Sequence, residues 1–144
     1  MPISKKISRS KNFSLRKNYD KNFERKKEAV SFFLRAGLAV VFFYAAFSSF
    51  LFPENWIGFI PLFLKKMFSQ EILLLLFSLY EIFLGLWLLS NKKTFYAAFF
   101  SAITMFLIII SNIILFDIVF RDIAIMFMAI ALAFLSKDER GGSG

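Results

Sequence analysis

The sequence contains no cysteine and no histidine in 144 residues. Disulfide exchange, thiolate nucleophiles, zinc centres, axial haem ligation by histidine and a Ser/His/Asp triad are thereby excluded, and no metal site is expected. Proline occurs 3 times and glycine 6 times. Half of the glycines fall in the closing Gly141-Gly142-Ser143-Gly144, which reads as an appended linker. There is no Gly-rich phosphate loop, no H-E-x-x-H and no G-x-S-x-G, so nucleotide-binding and soluble hydrolase readings have nothing to stand on. Any chemistry must come from carboxylates, Arg, Lys, Tyr or a borrowed cofactor.

What the chain has in excess is apolar surface: 58% of residues are hydrophobic and 19% aromatic, with a mean hydropathy of +0.65. A soluble domain averages about 45–50% apolar. Four hydrophobic runs, at about 30–52, 72–89, 94–115 and 118–135, are each long enough to cross a bilayer, the second and fourth barely. The prediction is an all-α, polytopic membrane protein built as a four-transmembrane-helix bundle. The first run is interrupted only by Arg35 and stops at Pro53, and the second contains Glu81. The third carries no charge, and the fourth has Arg121 and Asp122 near its start. Between the first two runs, Pro53, Gly58 and Pro61 break helices while Trp56, Phe59, Phe63 and Phe68 favour an interface, which predicts a loop lying on the bilayer surface.

Charge divides the chain into a basic tail at 1–28, a membrane domain at 29–136 and a C-terminal tail at 137–144. The first 28 residues hold ten of the 18 basic residues against Asp20, Glu24 and Glu28, and so carry +7 of the net +8. Lys and Arg interleaved with Phe13, Tyr19 and Phe23 resemble a single-strand-binding arm. The position directly before a hydrophobic run is better explained by anionic lipid headgroups and topology, so no nucleic-acid partner is expected. The charged stretch is also too long for a cleaved signal peptide, and no A-x-A-like site follows. The tail, the Ser90-Asn91-Lys92-Lys93 turn and the Lys137/Arg140 end should share one side, leaving Lys65, Lys66 and Arg121 opposite. The positive-inside bias then predicts both termini in the cytoplasm.

Helical spacing indicates which faces meet. Ala97, Ser101, Thr104, Ile108 and Ser111 form one stripe, and Ser78, Glu81 and Gly85 another. The first span offers Arg35, Phe42, Ala45 and Ser49, and the fourth Asp122, Met126, Ala129 and Ala133. Small or polar stripes pack helix on helix, leaving Phe, Leu and Ile to the acyl chains.

An ionisable side chain at mid-helix costs about 2.5–3.5 kcal/mol even on the lenient insertion scale, so it should have a partner. Measured from the ends of their runs, Arg35 and Glu81 lie at similar depths, which predicts an ion pair joining the first two spans, with Thr104 or Tyr80 adding a hydrogen bond. This site is read as either a structural pair or a proton or ligand site. A second cluster, Asp117, Arg121 and Asp122 with Asn112 and Glu54, sits at the opposite side. It reads as capping and an exposed salt bridge, or as an anion or quinone-headgroup site.

At these residues the chain resembles the DoxX family of small four-helix bacterial membrane proteins. The resemblance is carried by L-R-A-G-L-A-V-V-F-F-Y-A-A-F-S-S-F-L-F-P-E-N-W-I-G-F-I-P at 34–61, E-I-F-L-G-L-W-L-L from Glu81 and D-I-V-F-R-D-I-A-I at 117–125. It places Arg35, Gly37, Pro53, Glu81, Gly85, Arg121 and Asp122 on motif positions. It implies a subunit or accessory of a quinone- or sulfur-linked membrane oxidoreductase system, with quinone as the candidate cofactor and other membrane subunits as partners. The residues themselves leave two other functions open: a small proton-coupled transporter using Glu81, and a membrane scaffold or assembly factor.

Overall fold

The computed structural model describes residues 2–58, 60, 62–112 and 116–141, the side chains of 116–118 and 138–141 apart. Among the described residues there is no strand. The elements are α1 (Pro2–Leu51), α2 (Pro53–Ile57), α3 (Leu62–Met67), α4 (Gln70–Leu89), α5 (Thr94–Ser111) and α6 (Phe116–Gly141). Four of them, α1, α4, α5 and α6, are long and apolar enough to cross a membrane. Two compact units divide the chain between Phe32 and Phe33.

The first unit is helical, and its apolar side chains Ile3, Ile7, Phe13, Leu15, Tyr19 and Phe23 are all exposed. Advancing 100° per residue, neither these nor the basic residues gather on one face, so the segment has no amphipathic stripe. Its local contacts are short-range: Lys27 Nζ lies 3.8 Å from Glu24 Oε1 and 5.0 Å from the centre of the Phe23 ring.

In the second unit the breaks between helices follow from local chemistry. Phe52 leaves helical geometry (φ −135°, ψ 65°), and Pro53, whose missing N–H suits a first-turn position, starts α2. The segment read from sequence as a surface loop therefore contains two short helices. Trp56 donates its indole N–H to Ser48 Oγ at 3.1 Å, tying α2 back to the end of α1. Ser69 is extended before α4, and Glu71 in the first turn complements the helix dipole. The α4–α5 turn is tight because Asn91 (φ 55°) and Lys93 (φ 51°) are left-handed. Asn tolerates that region better than most residues. Trp87 Nε1 donates to Lys92 O at 2.9 Å and Ser90 Oγ to Trp87 O at 2.8 Å, holding the turn against the helix end. At the far end Asn112 Nδ2 donates to Ile108 O at 2.9 Å, satisfying a terminal carbonyl of α5. The third predicted span thus stops at Ser111 as a helix, its last residues 113–115 lying outside the described ones. The fourth runs past 135, because Ser136-Lys137-Asp138-Glu139-Arg140 contains no helix breaker.

The four long elements close a ring. Ser49 of α1 meets Ser78 of α4, and a Cβ placed on Gly85 would lie against the Phe43 ring. Tyr80 of α4 meets Thr104 of α5, and the Trp87 and Phe100 ring centres are 6.2 Å apart. A Cβ on Gly37 of α1 would meet Met128 of α6 at 3.2 Å. Successive helices are antiparallel, giving an up-down-up-down bundle. Its core joins Leu38, Ala39 and Phe42 of α1, Leu84 and Leu88 of α4, Ala97, Ala98 and Met105 of α5, and Ile125, Ala129 and Leu132 of α6. Phe47, Phe83, Phe106, Phe127 and Phe134 are exposed on its outside, the inverse of a water-soluble surface.

Candidate functional site in the bundle core

Burial sorts the predicted stripes. On α4, Ser78, Glu81 and Gly85 all face inward. On α5, Ala97, Ser101 and Thr104 are buried, Ile108 is half-buried and Ser111 is exposed. On α1, Phe42, Ala45 and Ser49 are buried, and on α6 Asp122 and Ala129 are. Arg35, Met126 and Ala133 of the same predicted stripes are only half-buried, so the periodicity identifies most of the inner face and drifts at Ser111, Met126 and Ala133.

Most hydroxyls in this core are satisfied locally. Ser78, Ser101 and Thr104 donate to the carbonyls of Leu74, Ala97 and Phe100, each at 2.8 Å, and Ser49 reaches Ala46 O at 2.8 Å. Two polar contacts cross between helices. Ser49 Oγ and Ser78 Oγ are 2.5 Å apart, linking α1 to α4. Tyr80 Oη and Thr104 Oγ1 are 2.8 Å apart, linking α4 to α5. Interhelical hydrogen bonds in membranes average about 0.6 kcal/mol by double-mutant cycles. A Ser49→Ala/Ser78→Ala cycle, read by equilibrium unfolding in bicelles, is expected to give a coupling of about that size. A coupling of zero would show that each hydroxyl relies on its own helix carbonyl alone.

Glu81 differs from these groups. It is 1% exposed, and its Oε2 is buried without a hydrogen-bond partner among the described residues. The contacts that set the α1–α4 register, Ser49 with Ser78 and Phe43 with Gly85, place Glu81 level with residues 46–47 of α1. Arg35 is eleven to twelve residues away along that helix, or about 17 Å at a 1.5 Å rise. That exceeds the combined reach of the two side chains. The Arg35–Glu81 pair expected from sequence is therefore corrected. The sequence estimate took the ends of the two apolar runs as flush, whereas the contacts slide α1 along α4 by about eight residues. Half-buried Arg35 stands level with the Ser90–Lys93 turn, and small residues, Ala45 and Ala46, stand level with Glu81. Thr104 and Tyr80, expected to assist the ion pair, hydrogen-bond each other instead.

The second predicted cluster is only partly assembled. Arg121 Nε lies 3.4 Å from Asp122 Oδ1, with the arginine side chain 62% exposed and the aspartate 8%. Asn112 is buried and engaged with its own helix, and Glu54 is exposed on α2. The Asp117 side chain lies outside the described residues, so the i, i+4 pairing with Arg121 does too. Sequence reasoning missed the Ser48–Trp56 and Ser49–Ser78 contacts as pairs. The serines were visible, but their partners depend on the register between helices.

No group of three or more His, Cys, Asp or Glu able to hold a metal is present among the described residues. Fold and site together define a class: a multi-pass helical membrane protein with a carboxyl group enclosed by its own helices. Comparison with protein-family profiles, with characterised proteins and with solved structures finds no match for this chain.

Proposed function

We propose that this chain is a proton-exchanging protein of the bacterial cytoplasmic membrane, with both termini on the cytoplasmic side and Glu81 as the group that takes up and releases the proton. One observation carries this reading: the Glu81 carboxyl is enclosed by the bundle with one oxygen unpartnered. A structural ion pair would justify such a group by fixing register, but register here is held by the serine pair and the Gly85 contact. A carboxyl in hydrocarbon that joins nothing is a functional group by default, since a neutral residue of similar size would cost less. The orientation is supported by the up-down-up-down order, which gathers Lys92, Lys93 and Lys137 at one end of the bundle. The +7 segment before it suits anionic headgroups.

Coupling that proton to a transported solute is the simplest use of an unpaired mid-span carboxyl in a four-span chain. The test is proton uptake after a pH jump, read with an indicator dye on the purified protein. Wild type is expected to take up one proton per chain that Glu81→Gln does not, with helix content unchanged. Uptake that is the same in both proteins, or a Gln variant that fails to insert, would overturn the reading.

A second reading follows from the DoxX-like strings, which fall on α1, α2, α4 and α6 and include both Glu81 and Gly85. In a quinone-linked oxidoreductase subunit the same carboxyl would face a quinone carbonyl oxygen, supplying the proton that this oxygen takes up when the quinone is reduced. A quinone chromophore that co-purifies with wild type and is lost in Glu81→Gln would favour this reading over solute transport. A constant crosslinked partner with no effect of Glu81→Gln would favour the scaffold.

A further inference from the structure

The outer face of α5 and α6 carries a groove that the proton site does not use, and its floor, Ala102, Met126 and Ala133, backs onto the bundle core. Phe95, Phe99, Ala102, Ile103 and Phe106 on α5, with Met126, Ile130, Ala133, Phe134 and Lys137 on α6, line an open groove of about 430 Å³. Both helices contribute the same spacing, i, i+4, i+7, i+8 and i+11, which is a single stripe on each. In each stripe the i+7 residue is alanine, Ala102 on one and Ala133 on the other. The small residues leave a trough, and the exposed Phe99, Phe106 and Phe134 stand as its walls.

Three properties identify what this groove fits. From Phe95 to Phe106 it runs eleven residues, or about 16 Å, which is half of the roughly 30 Å hydrocarbon thickness and so one leaflet. Its lining is apolar except for one residue, Lys137, at the end where α5 begins and α6 leaves the membrane-spanning stretch. Exposed Lys92 and Lys93 of the α4–α5 turn precede α5 at that same end. We infer that α5 and α6 hold one acyl chain of an anionic glycerophospholipid, with its phosphate against Lys137. A quinone ring, with an oxygen at each end, finds a hydrogen-bonding side chain only at one end of the trough, Lys137. A second copy of the chain, which must share the membrane topology, would bring its own lysines to the same level and set like charges together.

Native mass spectrometry of the full-length protein, offered equal amounts of phosphatidylglycerol and phosphatidylcholine, tests this. Wild type should retain one lipid per chain and prefer phosphatidylglycerol. Lys137→Gln should lower that preference about fivefold, the ratio expected of one lysine at an anionic headgroup, while lipid is still retained. Ala102→Phe and Ala133→Leu, each filling the trough, should abolish retention of both lipids. Leu107→Phe, 58% exposed and outside the groove, should change neither. Helix content measured for each variant separates a filled groove from a misfolded chain. Retention that survives both trough variants would overturn the proposal, as would a preference that Lys137→Gln leaves unchanged. A wild-type dimer that Ala102→Phe converts to a lipid-free monomer would assign the groove to a second copy instead.

Discussion

Gly85→Leu is expected to cost the bundle a large part of its stability. A Cβ at this position would lie 2.8 Å from Phe43 Cε1, 3.0 Å from Cζ and 3.2 Å from Cδ1, so even alanine overlaps the ring edge. Overpacking a filled site costs typically about 1–3 kcal/mol. Alanine recovers up to about 1 kcal/mol of that through its better helix propensity. Gly85→Ala should therefore be mild. Leucine gains the same propensity but drives three more carbons into the α1–α4 contact, and a cost of about 3 kcal/mol or more is expected from unfolding in bicelles. The contact also predicts its own suppressor: Phe43→Ala combined with Gly85→Leu should recover most of the loss, because the ring that is struck has gone. Gly58 is the control, since a Cβ there meets nothing within 4 Å and Gly58→Ala should be near neutral. Equal effects at the two glycines would mean that α4 and α1 do not approach at Gly85.

That pair of glycines marks the division between what the sequence makes legible and what it does not. The spans, their helical character and most of the inward face of each are readable, because length, apolarity and the 3.6-residue period are properties of one segment at a time. Ser78, Glu81 and Gly85 were assigned to one stripe on that basis and are all buried. Relations between segments were not readable. The Arg35–Glu81 pair rests on depths measured to the ends of apolar runs, and those ends shift freely when a helix slides along its neighbour. Only the Ser49–Ser78 and Phe43–Gly85 contacts, which no single-segment pattern encodes, fix that slide. Tyr80 and Thr104 differ from expectation for the same reason: single-segment patterns reveal the hydroxyls but not the register that pairs them. With 22 phenylalanines, composition also fails to say which of them face inward, and on α1 alone Phe42 is buried while Phe47 and Phe50 are exposed.

The contrast between Phe42 and Phe47 yields the second large effect. Phe42 is 0% exposed within the core cluster, and Phe47 is 66% exposed on the outer face of the same helix. In a water-soluble core a Phe→Ala change costs about 3–5 kcal/mol, the sum of lost transfer energy and the cavity left behind. In a bilayer the transfer share vanishes, because an unpacked helix shows its side chains to lipid tails as apolar as the core itself. The cavity share remains at Phe42, since Leu38, Leu84 and their neighbours relax only in part, so Phe42→Ala is expected to cost on the order of 2 kcal/mol. Phe47→Ala should cost close to nothing, because lipid fills the space the ring leaves. Unfolding both variants in bicelles measures the difference, and transferring them to a mild detergent should preserve its sign. A cost at Phe47 equal to that at Phe42 would require a protein surface, rather than acyl chains, to cover the outer face of α1.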